Sequence, residues 1–270
     1  MSSLGFQEEM RAEDLAELRK AVRLLENQGF VRLLSNVAGK PTDKALEFVP
    51  RRLKSKIDMT VSGAVRKGLH LAVTSLDAKD AGPPKNRMSR LVTGLTGGVS
   101  GFFGAGGLAA ELPVTTTLIL RSIADIARSK GEDLSSVSAR LACMEVLALG
   151  APAEEKQTQS SYFLARDGFS RFSGNAAKAL SEHGADAARS PEVNGFLGAV
   201  GAKFAVVVWQ RAAASSLPVI GALGGAAANA VFAQYFQELA TGHFIVRKLE
   251  RTYGEEVIRA KYMDVFASLD

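Results

Sequence analysis

The chain is short of the residues from which most recognisable sites are built. Its 270 residues include one cysteine, Cys143, and three histidines, His70, His183 and His243. A lone cysteine excludes an intramolecular disulfide and a thiolate zinc cluster, and no histidine belongs to an H-E-x-x-H pattern. The reading is therefore no metal and no cofactor. G-x-x-x-x-G-K-[ST] and G-x-S-x-G are also missing. Proline numbers 8 and aromatic residues make up 7%, so the 47% apolar content comes largely from alanine and aliphatic side chains that suit closely spaced helices. Period-two alternation bounded by hairpin turns is absent. These absences predict an all-α protein, a multi-helix globular bundle with a Gly/Ala-rich central helical hairpin. No basic-apolar-small leader precedes "MSSLGFQEEMRAEDLAELRK", and with so little cysteine the expected compartment is a reducing cytoplasm.

Charge is unevenly spread. The net charge is +5, yet the stretch from Arg19 to Arg90 holds 16 Lys/Arg against 6 Asp/Glu, which leaves the rest of the chain acidic. Such a segment can meet nucleic acid, an anionic lipid surface or an acidic partner, or simply be a solvated face. Only Phe30 and Phe48 interleave with its cations, which disfavours nucleic acid. An anionic membrane surface or a membrane protein is the preferred partner. Leu15, Leu18, Val22 and Leu25 form one helical stripe, with Arg19, Lys20 and Arg23 on the other side. That helix either docks on the protein or lies on a membrane. A short helical run, "KALEFV", ends at Pro50. Arg51, Arg52, Lys54 and Lys56 then open a longer helix reaching about residue 76. These seven cations are the candidate membrane-surface residues. "LDAKDAGPPKNR" reads as a linker, giving a basic amphipathic region at 1–80, a linker at 81–90 and a helical core at 91–270 that is continuous with 50–80.

Two runs carry no charge, Leu91–Ala110 and Ala212–Gln237. The first contains "GGVSGFFGAGGLAAELP" and is long enough to span a bilayer, but seven of its 20 residues are glycine. Gly104, Gly106 and Ala109 fit G-x-G-x-x-A, yet no strand leads in and the exit is helical, so dinucleotide binding is disfavoured. Small residues spaced three and four apart, repeated at Gly221, Gly224, Gly225 and Ala228, point instead to a close helix pair. Whether the runs insert into lipid stays open, as does an apolar or lipid ligand between them.

Some ionisable residues sit in apolar surroundings. Glu111, Thr115, Arg121, Ser122 and Asp125 are expected on one face of a helix, with Leu112, Thr116, Ile119, Ile123 and Ile126 opposite. Glu145 shares a stripe with Val137 and Leu141 and needs a partner, for which Arg121 and Arg140 are the candidates. His243, Arg247 and Glu250 fall at i, i+4 and i+7, in line with Asn229. They are either binding residues or a hydrogen-bonded seam against neighbouring helices. Cys143 reads as a core thiol.

The blocks "GLAAELPVTTTLILRSIADIARSKGEDL", "ARLACMEVLALG" and "AAANAVFAQYFQELATGHFIVRKLERTYG" resemble the EcsC family of bacterial proteins over roughly residues 50–265. The family is named for a gene beside an ABC transporter. The resemblance implies a helical protein without an assigned reaction and points to Glu111, Leu112, Pro113, Arg121, Cys143, Glu145, His243, Arg247, Glu250 and Gly254. "SSYFLAR", with Tyr162 and Arg166, is similar but less specific. Two functions compete. One is a non-enzymatic accessory or regulatory protein, cytoplasmic and peripheral to the inner membrane, lipid-binding or transporter-associated. The other is a hydrolase or peptidase whose site gathers Glu111, Arg121, Glu145 and His243 around a desolvated carboxylate.

Overall fold

Serine side chains mark where several helices begin. Ser136 and Ser160 accept from the backbone N–H of Ala139 and Phe163, each at 3.2 Å. Ser190 accepts from Val193 at 3.3 Å, with Pro191 placed where a missing N–H costs nothing. The computed structural model describes residues 10–26, 29–30, 32–33, 51–74, 104–151, 160–215 and 225–269, without the side chains of 51–53, 71–74, 104–111, 214–215 and 225–229. Among these residues there are eight α-helices and no strand. They are α1 Ala12–Glu26, α2 Arg51–Thr74, α3 Gly104–Ser129, α4 Val137–Leu149, α5 Ser161–His183, α6 Pro191–Ser215, α7 Gly225–Tyr253 and α8 Glu255–Ala267, with a 3-10 turn, Gly184–Arg189, before α6. The all-α class is as the sequence predicts.

Helix α7 is the hub, packed against α1, α3, α4, α6 and α8. Its apolar residues Phe232, Phe236, Leu239, Ala240 and Phe244 recur at helical spacing and are all buried. Phe236 meets Phe232 and Phe204 edge to face, with ring centroids 5.2 and 5.5 Å apart. Full burial of each such side chain contributes about 1.5–3 kcal/mol. Leu18, Ala21, Val22 and Leu25 of α1 enter the same core, and Phe30 lies edge-on to Phe232 at 5.6 Å. The predicted amphipathic stripe of α1 is therefore docked on protein, leaving Arg19, Lys20 and Arg23 exposed. On the other flank α2 packs against α3, α4, α6 and the 3-10 turn, and α1 and α2 do not touch.

One helix crossing depends on a glycine. A Cβ on Gly242 of α7 would lie 2.7 Å from Leu25 Cγ and 3.2 Å from the Ala21 carbonyl oxygen of α1, closer than packed atoms sit, so the absent side chain sets how near α1 can approach. The glycine-rich stretch has a different outcome. Residues 104–110 form the first turns of α3 rather than a loop after a strand, which removes the phosphate-cradle reading. Helices α3 and α7 do pack together. The glycines of 91–103 and 216–224, the 81–90 linker and the run ending at Pro50 lie outside the described residues.

The face expected for α3 needs correction. Thr115 and Ser122 are buried beside Thr116, Ile119 and Ile123, while Val114 and Arg121 are exposed. A short hydroxyl side chain can return its hydrogen bond to the helix itself, as Thr117 does to the Pro113 carbonyl at 2.8 Å, and so can be taken into a core.

Two glycine substitutions separate packing from propensity. Gly174→Ala, exposed in α5 with open space at its Cβ, should gain up to about 1 kcal/mol in urea unfolding. Gly242→Ala carries the same propensity gain, yet overpacking of about 1–3 kcal/mol should leave it a net loss of roughly 1 kcal/mol. Equal gains would show that α1 is not seated there.

Candidate functional site

Three ionisable residues of α7, His243, Arg247 and Glu250, point into protein and each meets a partner from another element. Arg166 of α5 donates through both terminal nitrogens to Glu250, at 2.5 and 2.9 Å, the two-pronged geometry that makes guanidinium–carboxylate pairs strong. Arg247 donates to both oxygens of Glu132, at 2.9 and 3.1 Å, and Arg251 adds a further bond to the same carboxylate. The Glu132 side chain is only 4% exposed. Tyr162 of α5 closes the line, its hydroxyl 3.0 Å from His243 Nδ1.

Local backbone chemistry puts Glu132 there. Helix α3 ends with Gly131 at φ +82°, a conformation glycine adopts without cost. The N–H groups of Glu132 and Gly131 bond back to the carbonyls of Ala127 and Arg128, each at 3.0 Å, which is a Schellman ending. That turn swings the Glu132 side chain beneath α7. Burial alone would raise its carboxyl, but the two guanidinium groups outweigh burial and hold it below the usual carboxylate value.

A second carboxylate fixes α5. Glu26, the last residue of α1, accepts from Ser161 N–H at 3.1 Å, Ser161 Oγ at 2.6 Å, Tyr262 Oη at 2.9 Å and the Ser160 hydroxyl. It thus occupies the positive end of the helix that carries Tyr162 and Arg166. Farther along α1, Glu17 joins Lys130 at 3.1 Å and Lys248 at 2.8 Å, and Asp14 accepts from the Tyr253 hydroxyl at 2.6 Å.

Burial shifts His243, Cys143 and Glu145 towards their neutral forms. Burial, with Arg247 and Arg166 nearby, pushes His243 well below its ordinary value. Burial drives the Tyr162 hydroxyl well above its ordinary value, and a protonated phenol can donate to His243 Nδ1. Among the described residues His243 Nε2 has no hydrogen-bond partner, and the residue is fully buried. Burial drives the Cys143 thiol up to about 12, so it is no thiolate. Glu145 is raised by burial, against which the nearby Ser173, Arg247 and Arg166 act. The expected partners differ from these: Arg121 is exposed, and Arg140 donates to the Ser135 carbonyl at 2.5 Å.

Of the residues proposed for hydrolysis, the three with described side chains do not share one open site. Arg121 faces solvent, His243 is enclosed and Glu145 is partly buried. The side chains of Glu111, Asn229, Arg51 and Arg52 lie outside the described residues. Lys54 stands 5.2 Å over the Trp209 ring, while Lys56 is exposed. Sequence reasoning missed Glu26, Glu132 and Arg251; a carboxylate directly after a helix-ending glycine was the available signal for Glu132.

Removing Glu132 leaves Arg247 without its carboxylate, so Glu132→Ala should cost about 3 kcal/mol or more by denaturant titration, and a loss below about 0.5 kcal/mol would contradict the pairing. For His243 the folded pKa lies below the unfolded value near 6.5. Its contribution is therefore complete above about pH 6.5 and declines on acidification as the unfolded chain takes up the proton. Glu145, raised in the folded state, acts in the opposite sense above about pH 4.5. The stability difference between the wild type and His243→Gln isolates the first effect: it should shrink from about pH 7 to pH 5, by at most about 1.4 kcal/mol per unit. A constant difference would rule out the neutral, buried imidazole.

No curated protein and no solved structure matches this chain. The profile of the EcsC protein family matches residues 12–249, a span that begins at α1, earlier than the resemblance placed it, and takes in Glu26, Glu132, Tyr162, Arg166, His243 and Arg247, while Glu250, Arg251 and Tyr262 lie beyond it. A match over most of the length settles the affiliation: the chain belongs to the EcsC protein family.

Proposed function

We propose that this is a non-enzymatic accessory protein of the cytoplasmic face of the inner membrane, held there by the exposed face of α2. Lys56, Met59, Gly63, Arg66, Lys67 and His70 follow one another at helical spacing on that face, and all are exposed, Met59 by 69%. Arg66, Lys67 and His70 line a cavity of about 450 Å³ together with Arg189 of the 3-10 turn, and among the described residues no carboxylate lines it. This convergence of cationic side chains is the observation that carries the reading. Phosphate headgroups complement it, at about 1 kcal/mol per Lys or Arg near an anionic leaflet, and Met59 can enter the interfacial layer. The anchoring surface proposed here falls on α2 rather than on α1, whose cations are on a helix that α2 does not contact.

Surface attachment suits the helices better than spanning. Pro191–Ala213 is long and apolar enough to cross a bilayer, but half of that window is buried inside the protein, as a core helix would be. A transporter or other membrane protein with acidic cytoplasmic loops would use the same cations.

Flotation with vesicles tests the reading. The protein should bind phosphatidylglycerol vesicles and not zwitterionic ones, and should leave them as salt rises. Arg66→Ser/Lys67→Ser/Arg189→Ser should lose most of the binding without loss of helicity. Absence of binding to anionic vesicles at low salt would overturn it, and recovery only in membranes that contain a protein partner would reassign the surface to that partner.

A further inference from the structure

A second cavity, remote from the basic face of α2, has a different chemistry. It measures about 480 Å³ and opens between α5 and α6, with Leu25 of α1 and Leu239 of α7 in its lining. Its volume arises because small residues face one another there, Ala165 and Gly168 of α5 and Ala199 and Ala202 of α6. Leu164 and Phe172 line the same cavity and are 41% and 44% exposed. Large apolar side chains left open beside an apolar cavity mark a ligand or partner site rather than an ordinary surface.

The polar groups of the lining choose the occupant. Ser161 Oγ is taken by Glu26 at 2.6 Å and the Tyr162 hydroxyl by His243, so neither awaits a ligand. Among the described residues Lys203 is the only charged residue of the lining; it is exposed and has no ion-pair partner among them. Among the described residues no carboxylate lines the cavity. An apolar trough with one ammonium group complements a molecule with one chain and one negative head.

We propose that the cavity between α5 and α6 binds a single-chain anionic amphiphile of the fatty-acid class, its chain against Phe169, Phe172 and Leu239 and its carboxylate at Lys203. The inference is independent of membrane docking, since a monomeric ligand in solution would fill the cavity.

Displacement of a fluorescent fatty acid by saturated carboxylates of increasing length, each below its micelle concentration, provides the test. Kd should fall about fourfold per added methylene until the cavity is full and then level off. The methyl ester should bind at least tenfold more weakly than the acid, and Lys203→Glu should remove that preference while leaving the fold intact, because the residue is exposed. Ala199→Phe, which fills the trough, should abolish binding; should it fail to fold, the Lys203 variant and the chain-length series still decide. Arg66→Ser/Lys67→Ser/Arg189→Ser should bind the acid as the wild type does, which separates this site from the basic face. Absence of displacement by any carboxylate, or equal binding of acid and ester, would overturn the proposal.

Discussion

The structure depends on satisfying the charges that α7 carries into the interior. Isolated ions there would be strongly disfavoured, so Arg247 and Glu250 are tolerable only because Glu132 and Arg166 arrive from other elements with two-pronged geometry. Each partner is itself placed by a local device. A glycine-ended helix delivers Glu132, and the carboxylate of Glu26 at the start of α5 holds the helix that carries Arg166 and Tyr162. The seam thus ties α1, α3, α5, α7 and α8 into one arrangement.

This assignment of charges divides interior from surface. His243 and Cys143, enclosed in the core, and the partly buried Glu145 are shifted towards their neutral forms by burial. What the described surface offers to other molecules lies elsewhere: a cationic cavity edged by α2 and the 3-10 turn, and an apolar one between α5 and α6. Both are built on helices held by the core, so their side chains are positioned without needing the seam to take part in any reaction.

Much of this architecture is readable from the chain. The amphipathic stripe of α1 and the i, i+4, i+7 alignment of His243, Arg247 and Glu250 both follow from local periodicity. The partners do not. Glu132, Arg166 and Tyr162 lie 115, 84 and 81 residues from the groups they meet, and nothing within a helical window specifies which distant carboxylate or guanidinium will arrive. The face of α3 was misread for another reason: Thr115 and Ser122 look polar in sequence, but buried hydroxyls are cheap when a helix carbonyl or neighbour can take their proton. Arg66, Lys67 and Arg189 are individually ordinary, and only the packing of α2 on the 3-10 turn brings them together.

A double-mutant cycle on Arg166 and Glu250 tests the central claim most directly, using Arg166→Met, Glu250→Leu and the pair, with unfolding free energies measured in denaturant. If the α7 seam is a structural element closed by that ion pair, each single change should cost about 3–5 kcal/mol, and the double variant should cost much less than their sum because no charge is left stranded. Additive losses, or single variants as stable as the wild type, would contradict the account.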